Sequence, residues 1–282
     1  MIGAATHLIC LLGNPVEHSL SPVMHNAAFM HLDLDMRYMA FRVERDRFPE
    51  ALQGLKALGC RGVNVTVPYK EEAFLLAERL DPSALVIRAV NTMIFRDGVT
   101  CGCNTDVIGV RDAVNLLAPG KKSALLLGAG GAGRAAALAL AQEGFYPLGI
   151  SNRNSERAGK LVDDLASIMG RSMAEVIPWG EPMSPAPGIL VNATSLGLNE
   201  TPWPEDLLKH YLTTMGAGKI LDLVYSPYGE TLLVAKARSN GLEAQGGEEV
   251  LIRQGAEAFR LFTGHEAPIE VMRRALAGAR KE

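Results

Sequence analysis

Short apolar runs alternate with stretches of helical periodicity along most of the chain, the pattern of an α/β protein. His7–Leu12 reads as a buried strand, and Ser21-Pro22 supplies an N-cap and a first-turn proline for a helix to about His31. Met36–Val43 is strand-like, Arg47–Leu58 helical, and Gly62–Val67 a strand with β-branched residues, followed by a helix after Pro68. Val90–Phe95 and Val99–Cys103 pair as a hairpin across Arg96-Asp97-Gly98. A further helix starts near Thr105-Asp106 and runs to Leu117.

Ala118-Pro-Gly-Lys-Lys122 then punctuates the chain at the approach to a second domain. Beyond it the strand–helix–strand character is cleaner: strand Ser123–Leu127, helix from Ala132, strand Tyr146–Ile150, helix from Glu156. Further strands read at Ile189–Asn192 and Lys219–Val224, and Pro178–Pro187, with four of the 15 prolines, reads as a surface loop. The last segment returns to helix at Glu248–Phe262 and Ile269–Ala279.

Composition narrows the function. The 282 residues carry 28 Lys+Arg against 31 Asp+Glu, without the positive excess of a nucleic-acid binder. No apolar stretch is long enough to span a bilayer, and the N-terminus lacks a basic region and a signal core. Cys10, Cys60, Cys101 and Cys103 show no zinc spacing and read as small, partly buried residues in a reduced compartment. No His pattern matches a metal site. The expectation is a cytoplasmic protein that handles a small molecule and needs no metal.

Leu125-Leu-Leu-Gly128-Ala-Gly130-Gly-Ala-Gly133-Arg-Ala-Ala is an apolar strand, then G-x-G-x-x-G, then an alanine-rich helix. In such a turn Gly128 permits the tight bend, Gly130 lets a pyrophosphate approach the backbone, and Gly133 allows close helix–sheet packing. The helix N-terminus offers unpaired N–H groups to the phosphate. The next strand ends in Ser151-Asn152-Arg153-Asn154-Ser-Glu-Arg157, without the acidic residue at the strand end that reads the ribose hydroxyl of NAD. Arginine there suits a 2′-phosphate, so the turn points to NADP.

The first half holds its own polar loops. Gly13-Asn14-Pro15-Val16-Glu17-His18-Ser19-Leu20-Ser21-Pro22 follows a buried strand, where α/β sheets bind ligands. Ser19 and Ser21 offer hydroxyls to a carboxylate, although Ser21 also reads as a simple helix cap. Gly62-Val-Asn64-Val-Thr66-Val-Pro68-Tyr-Lys70 sets Asn64 and Thr66 within an apolar strand and Lys70 just past its end, and buried polar groups need partners. By itself Asp106 reads as an acid in the first turn of a helix, and spacing alone does not bring it to Lys70.

In chain order the segments GNPVEHSLSP, GVNVTVPYK, AVNT, GCNTD, GAGGAGRAA, SNRN, NATSLG, DLVYSPYGETLL and RQGAEAF resemble the shikimate dehydrogenase family over almost the whole chain. The resemblance implies two α/β domains: residues 1–105 with 247–282 for the substrate and 106–246, Rossmann-like, for NADP. It implies reversible NADPH-dependent reduction of 3-dehydroshikimate to shikimate, in aromatic amino-acid biosynthesis, by a monomer or homodimer. Ser19 and Ser21 would hold the substrate carboxylate. Thr66, Asn91 and Gln254 would meet the ring hydroxyls, with Tyr225 nearby. Lys70 and Asp106 would form the catalytic pair. Gly128, Ala129, Gly130, Gly131, Ala132 and Gly133 would cradle the pyrophosphate. Asn152, Arg153 and Arg157 would read the adenosine phosphate, while Thr194, Leu223 and Gly247 would border the ribose and nicotinamide.

Two positions depart from the family pattern: Glu248-Glu249 puts charge beside Gly247, and Phe262 stands where the family commonly has Trp. The alternatives are a quinate/shikimate dehydrogenase with broader substrate or NAD use, and a cofactor-binding regulatory protein without activity. Retention of both Lys70 and Asp106 speaks against the last.

Overall fold

The computed structural model describes residues 2–120, 123–198, 201–216, 218–226 and 229–279. It divides into two compact units, residues 1–105 with 251–282 and residues 106–250.

The first unit begins with β1 (His7–Gly13), α1 (Ser21–His31), β2 (Met36–Arg42), α2 (Phe48–Ala57), β3 (Gly62–Val65) and α3 (Lys70–Leu76). It continues with β4 (Arg79–Leu80), α4 (Pro82–Ile87), β5 (Thr92–Arg96) and β6 (Val99–Cys103). The strand order is β2-β1-β3-β5-β6-β4, with β2, β1 and β3 parallel and β5 antiparallel to both β3 and β6. Asp97 and Gly98 form the hairpin turn with φ of 52° and 75°, the left-handed pair that a two-residue loop between twisted strands requires. Strand polarity decides the rest. The C-terminal ends of β1, β3 and β6 and the N-terminal end of β5 share one edge of the sheet.

Ser21 is the first helical residue of α1 rather than its cap; Leu20 holds the cap position, and its side chain makes no capping bond. Asp81 and Asn154 do cap, accepting the N–H groups of Ala84 at 2.8 Å and Arg157 at 3.0 Å. In the second unit come α5 (Asp106–Leu117), β7 (Ala124–Leu127), α6 (Gly131–Gln142), β8 (Leu148–Ser151), α7 (Ser155–Met169) and β9 (Ala174–Val176). They are followed by β10 (Ile189–Asn192), α8 (Glu205–Thr214), β11 (Lys219–Asp222), α9 (Leu232–Ser239) and β12 (Ala244–Gln245). All pairings are parallel in the order β12-β11-β10-β7-β8-β9, the doubly wound arrangement whose order reverses between β7 and β10. Buried on both faces, β7, β8, β10 and β11 are near-continuous apolar runs, as such a sheet demands.

Helix α10 (Glu248–Thr263) enters the first unit at Leu251 and is followed by α11 (Ile269–Gly278), which packs on α1. Phe259 stacks on Phe29 with centroids 5.2 Å apart, and Phe262 is buried against Gly62, where a β-carbon would lie 2.6 Å from its ring. Cys10 and Cys60 are buried free thiols that share a hydrogen bond, with Sγ atoms 3.8 Å apart, and Cys101 and Cys103 are also free thiols.

Candidate functional site

The shared edge of the first sheet carries an uncommon density of buried polar side chains. Asn64, Asn91, Thr92 and Thr105 are each under a tenth exposed, at the ends of β3, β5 and β6. Buried amides and hydroxyls persist only when paired, and these pair with one another. The backbone N–H of Thr105 donates to Asn91 Oδ1 at 2.8 Å, and Asn91 Nδ2 donates to Thr105 Oγ1 at 3.0 Å. Asn64 Nδ2 donates to Thr92 Oγ1 at 2.9 Å, and Thr105 Oγ1 reaches Gln254 Oε1 on α10 at 3.3 Å.

Lys70, half-buried, is the first residue of α3, and its carbonyl accepts the N–H of Val90 at 2.8 Å. That bond ties the start of α3 to the segment entering β5. Thr66 is half-buried; its N–H donates to Leu12 O at 2.9 Å, seating the end of β3 beside the end of β1. Ser19 Oγ accepts the N–H of Ser21 at 3.3 Å, and Ser21 is buried at the start of α1. The structure therefore brings Thr66, Asn91 and Gln254 to one edge of the first unit, with Ser19, Ser21 and Lys70 on the loops and helix starts leaving it. Asp106 opens α5 in the second unit, one residue beyond Thr105.

In the second unit the glycine turn follows β7 and the segment Ala193–Leu196 follows β10, so both flank the switch point. Gly128 has φ of 106°, and a β-carbon there would meet the Ala193 carbonyl at 2.8 Å. A β-carbon on Gly133 would collide with the Gly128 carbonyl, which is why α6 can start so close to the turn. Gly130 and Gly131 are different: no protein atom lies within 4 Å of a β-carbon at either. Protein packing does not require those two glycines, and the open space leaves the backbone N–H groups at the start of α6 accessible to a phosphate, so the turn fits a dinucleotide.

Asn152 Oδ1 accepts the N–H of Ala129 at 3.2 Å, which fixes the end of β8 beside the turn, and Arg153 and Arg157 stand exposed just beyond it. Ala132 is exposed in the first turn of α6. Thr194, Leu223 and Gly247 converge. Thr194 Oγ1 donates to Asn192 Oδ1 at 2.7 Å, Leu223 N–H donates to Asn192 O at 2.8 Å, and Gly247 N–H donates to Val224 O at 3.1 Å. A β-carbon on Gly247 would strike the Leu223 carbonyl. Tyr225 is half-buried, and burial raises its hydroxyl above the ordinary tyrosine range. Glu248 and Glu249 occupy the first turn of α10, with Glu249 buried.

Sequence reasoning missed the buried pair beneath these loops. Asp222, fully buried, accepts Asn192 Nδ2 at 2.8 Å, Val224 N–H at 3.1 Å and Thr231 Oγ1 at 2.6 Å. Burial pushes its carboxyl up to about 6 against the pull of those donors. The sequence mark is a polar residue closing each of two apolar strands, ILVN and KILD, whose last residues are in register.

A doubly wound parallel sheet with this glycine turn at its switch point defines the second unit as a dinucleotide-binding fold of the oxidoreductase type. Residues 11–93 match the shikimate dehydrogenase substrate binding domain, and residues 247–277 match the shikimate 5'-dehydrogenase C-terminal domain. The NADP(+) shikimate dehydrogenase of Moorella thermoacetica is 43% identical over 99% of this chain and 95% of its own. The chain belongs to the shikimate dehydrogenase family. A crystallised shikimate dehydrogenase in complex with NADP+ is similar at a TM-score of 0.92, with 35% identity over 100% of this chain and 98% of that one. The Thermus thermophilus enzyme in complex with NADP(H) and shikimate is similar at 0.85, with 35% identity over 97% and 99%.

Proposed function

We propose that this chain catalyses the reversible, NADPH-dependent reduction of 3-dehydroshikimate to shikimate, a step of aromatic amino-acid biosynthesis. The first unit binds the substrate and the second the cofactor. NADPH supplies the hydride. The residues of the chain do the rest.

Ser19 and Ser21 hold the carboxylate at the start of α1. Thr66, Asn91 and Gln254 hold the ring hydroxyls, with Tyr225 alongside. Reduction of the ketone leaves an alkoxide; the ammonium of Lys70 stabilises that charge and donates the proton, and Asp106 orients Lys70 and shares the proton. Gly128, Ala129, Gly130, Gly131, Ala132 and Gly133 present backbone to the pyrophosphate. Asn152 and Arg153, with Arg157, take the adenosine phosphate, while Thr194, Leu223 and Gly247 border the ribose and nicotinamide. We place the protein in the cytoplasm, as a monomer or homodimer.

The observation that carries the reading is the buried cluster of Asn64, Asn91, Thr92 and Thr105 linked to Gln254. Paired with one another, these groups hold in place Asn91 and Gln254, two of the side chains that we assign to the ring hydroxyls. Initial rates with shikimate and quinate, each with NADP+ and NAD+, test it. The reading requires shikimate with NADP+ to be the best pair, and a preference for quinate or NAD+ would replace it with the broader-specificity alternative.

A further inference from the structure

The hydrogen bonds of the polar cluster run in one direction, and three backbone groups set that direction. Thr105 N–H donates to Asn91 Oδ1 at 2.8 Å, so the carbonyl side of the Asn91 amide is committed to the protein. The Asn91 carbonyl accepts Asn64 Nδ2 at 3.3 Å, which turns Asn64 Oδ1 the other way. The Leu251 carbonyl accepts Gln254 Nε2 at 3.0 Å, which turns Gln254 Oε1 toward Thr105. A backbone N–H cannot accept and a backbone carbonyl cannot donate, so the sense of each amide is set, and what remains for side chains is to satisfy Asn64 Oδ1 and hold the cluster in place.

The hydroxyls follow. Thr92 Oγ1 accepts Asn64 Nδ2 at 2.9 Å and donates its single proton to Asn91 Oδ1 at 3.0 Å. Thr105 Oγ1 accepts Asn91 Nδ2 at 3.0 Å; its own proton faces both Asn91 Oδ1 and Gln254 Oε1 at 3.3 Å, and because Asn91 Oδ1 already takes the Thr105 N–H and the Thr92 hydroxyl, the proton goes to Gln254. At the head of the chain, Asn64 Oδ1 needs a donor, and Tyr38 on β2 supplies it: its hydroxyl donates at 2.8 Å. Tyr38 is held there. Its ring is 2% exposed and stacks on His25 with centroids 4.4 Å apart at 4°, and the Asn26 side chain brackets its backbone with two bonds of 2.9 Å.

We propose that Tyr38 is a positioning residue for substrate specificity: by supplying the donor that Asn64 Oδ1 requires, it holds Asn64, Thr92, Asn91 and Thr105 in place against Gln254, whose amide the Leu251 carbonyl has already turned, so that N–H, not carbonyl, stays aimed at a ring hydroxyl of the substrate. The inference rests on the proposed function and adds to it a polarity. The substrate oxygen at Gln254 accepts, and a group there that only donates is rejected, because it would face a donor. Nothing in the Tyr38 sequence context marks this role, since a tyrosine in an apolar strand reads as core.

Three variants test it, with wild-type turnover of shikimate and NADP+ as the reference. Tyr38→Phe keeps the ring and its stack but removes the head of the relay. The expected result is a KM for shikimate raised about tenfold, the equivalent of one hydrogen bond, with the KM for NADP+ unchanged and kcat within about threefold. Thr92→Val breaks the relay at its middle and raises the same KM similarly, while Thr92→Ser, which restores a hydroxyl, returns it toward the wild-type value. Shikimate analogues with one ring hydroxyl replaced by an ammonium group read the polarity directly: the wild type rejects the analogue altered at the Gln254 position, and Tyr38→Phe discriminates less. An unchanged KM in a folded Tyr38→Phe protein, or equal losses for shikimate and NADP+, overturns the proposal; should that variant not fold, Thr92→Val and Thr92→Ser behaving alike overturns it. Absence of any wild-type turnover refutes the functional reading itself, whereas turnover with indifferent variants refutes only the relay.

Discussion

The N–H of Val90 donates to the carbonyl of Lys70 at 2.8 Å, and the next residue, Asn91, holds Thr105 through its N–H at 2.8 Å. The base of the Lys70 helix and the residue preceding Asp106 are thus both fixed to the start of β5. Lys70→Ala removes the proposed proton donor while leaving the backbone bond to Val90 in place. Turnover should fall by roughly 10²–10⁴-fold while NADP+ affinity, measured by cofactor fluorescence, stays near the wild-type value. Near-normal turnover would remove Lys70 from the mechanism.

The glycines of the turn separate packing from ligand binding. Gly133→Ala drives a methyl group into the Gly128 backbone and should lower stability by about 1–3 kcal/mol in denaturant titration. Gly130→Ala meets no protein atom within 4 Å, at a φ of −82° that alanine adopts freely. That variant should unfold at the wild-type denaturant midpoint but bind NADP+ more weakly. Equal effects of the two substitutions on stability would contradict the assignment.

Arg153 and Arg157 stand exposed beyond β8, so their loss costs the fold little. Arg153→Ser should raise the KM for NADP+ by about 10–100-fold, the worth of a charge-assisted hydrogen bond, and leave the KM for NAD+ nearly unchanged. Initial rates with both cofactors check this, and an unaltered NADP+/NAD+ ratio would move the phosphate contact to another residue.

His25 sets an acid limit. Burial pulls its imidazole from the ordinary 6.5 down to about 3. Below pH 6.5 the unfolded chain takes up a proton that the native ring refuses, so this contribution to stability is complete above that pH and falls as the solution is acidified. At pH 5 the loss from His25 is about 2 kcal/mol. Asp222 works in the opposite direction, since its raised carboxyl binds a proton in the native state below about pH 6 and the unfolded chain does so only near 3.8. Denaturant titration at pH 7 and pH 5 of wild type and His25→Phe, which keeps a ring on Tyr38, isolates the histidine. The variant should lose about 2 kcal/mol less between the two pH values; an equal loss would mean that the native ring protonates.

Much of this was legible in the chain because periodicity and punctuation agreed. The run from Leu125 to the alanine-rich helix, the Asp97-Gly98 hairpin and the ILVN strand are each specified locally. Helices α4, α8 and α9 were not read; at six and eight residues α4 and α9 are too short for a 3.6-residue period to show. The two- and three-residue strands β4, β9 and β12 exist only through their neighbours. Ser21 looked like a cap because Ser-Pro so often begins a helix, yet the turn starts one residue earlier. The polar relay was half visible: Asn64 in an apolar strand announced a missing partner, but that its partner is Tyr38, 26 residues away on a strand two places across the sheet, follows only from topology.

The most direct measurement is oxidation of shikimate by the purified chain with NADP+, followed by the near-ultraviolet absorbance of the reduced nicotinamide. The account predicts steady production of NADPH that depends on shikimate and is lost in Lys70→Ala. A protein that binds NADP+ normally yet produces no NADPH from shikimate would contradict it.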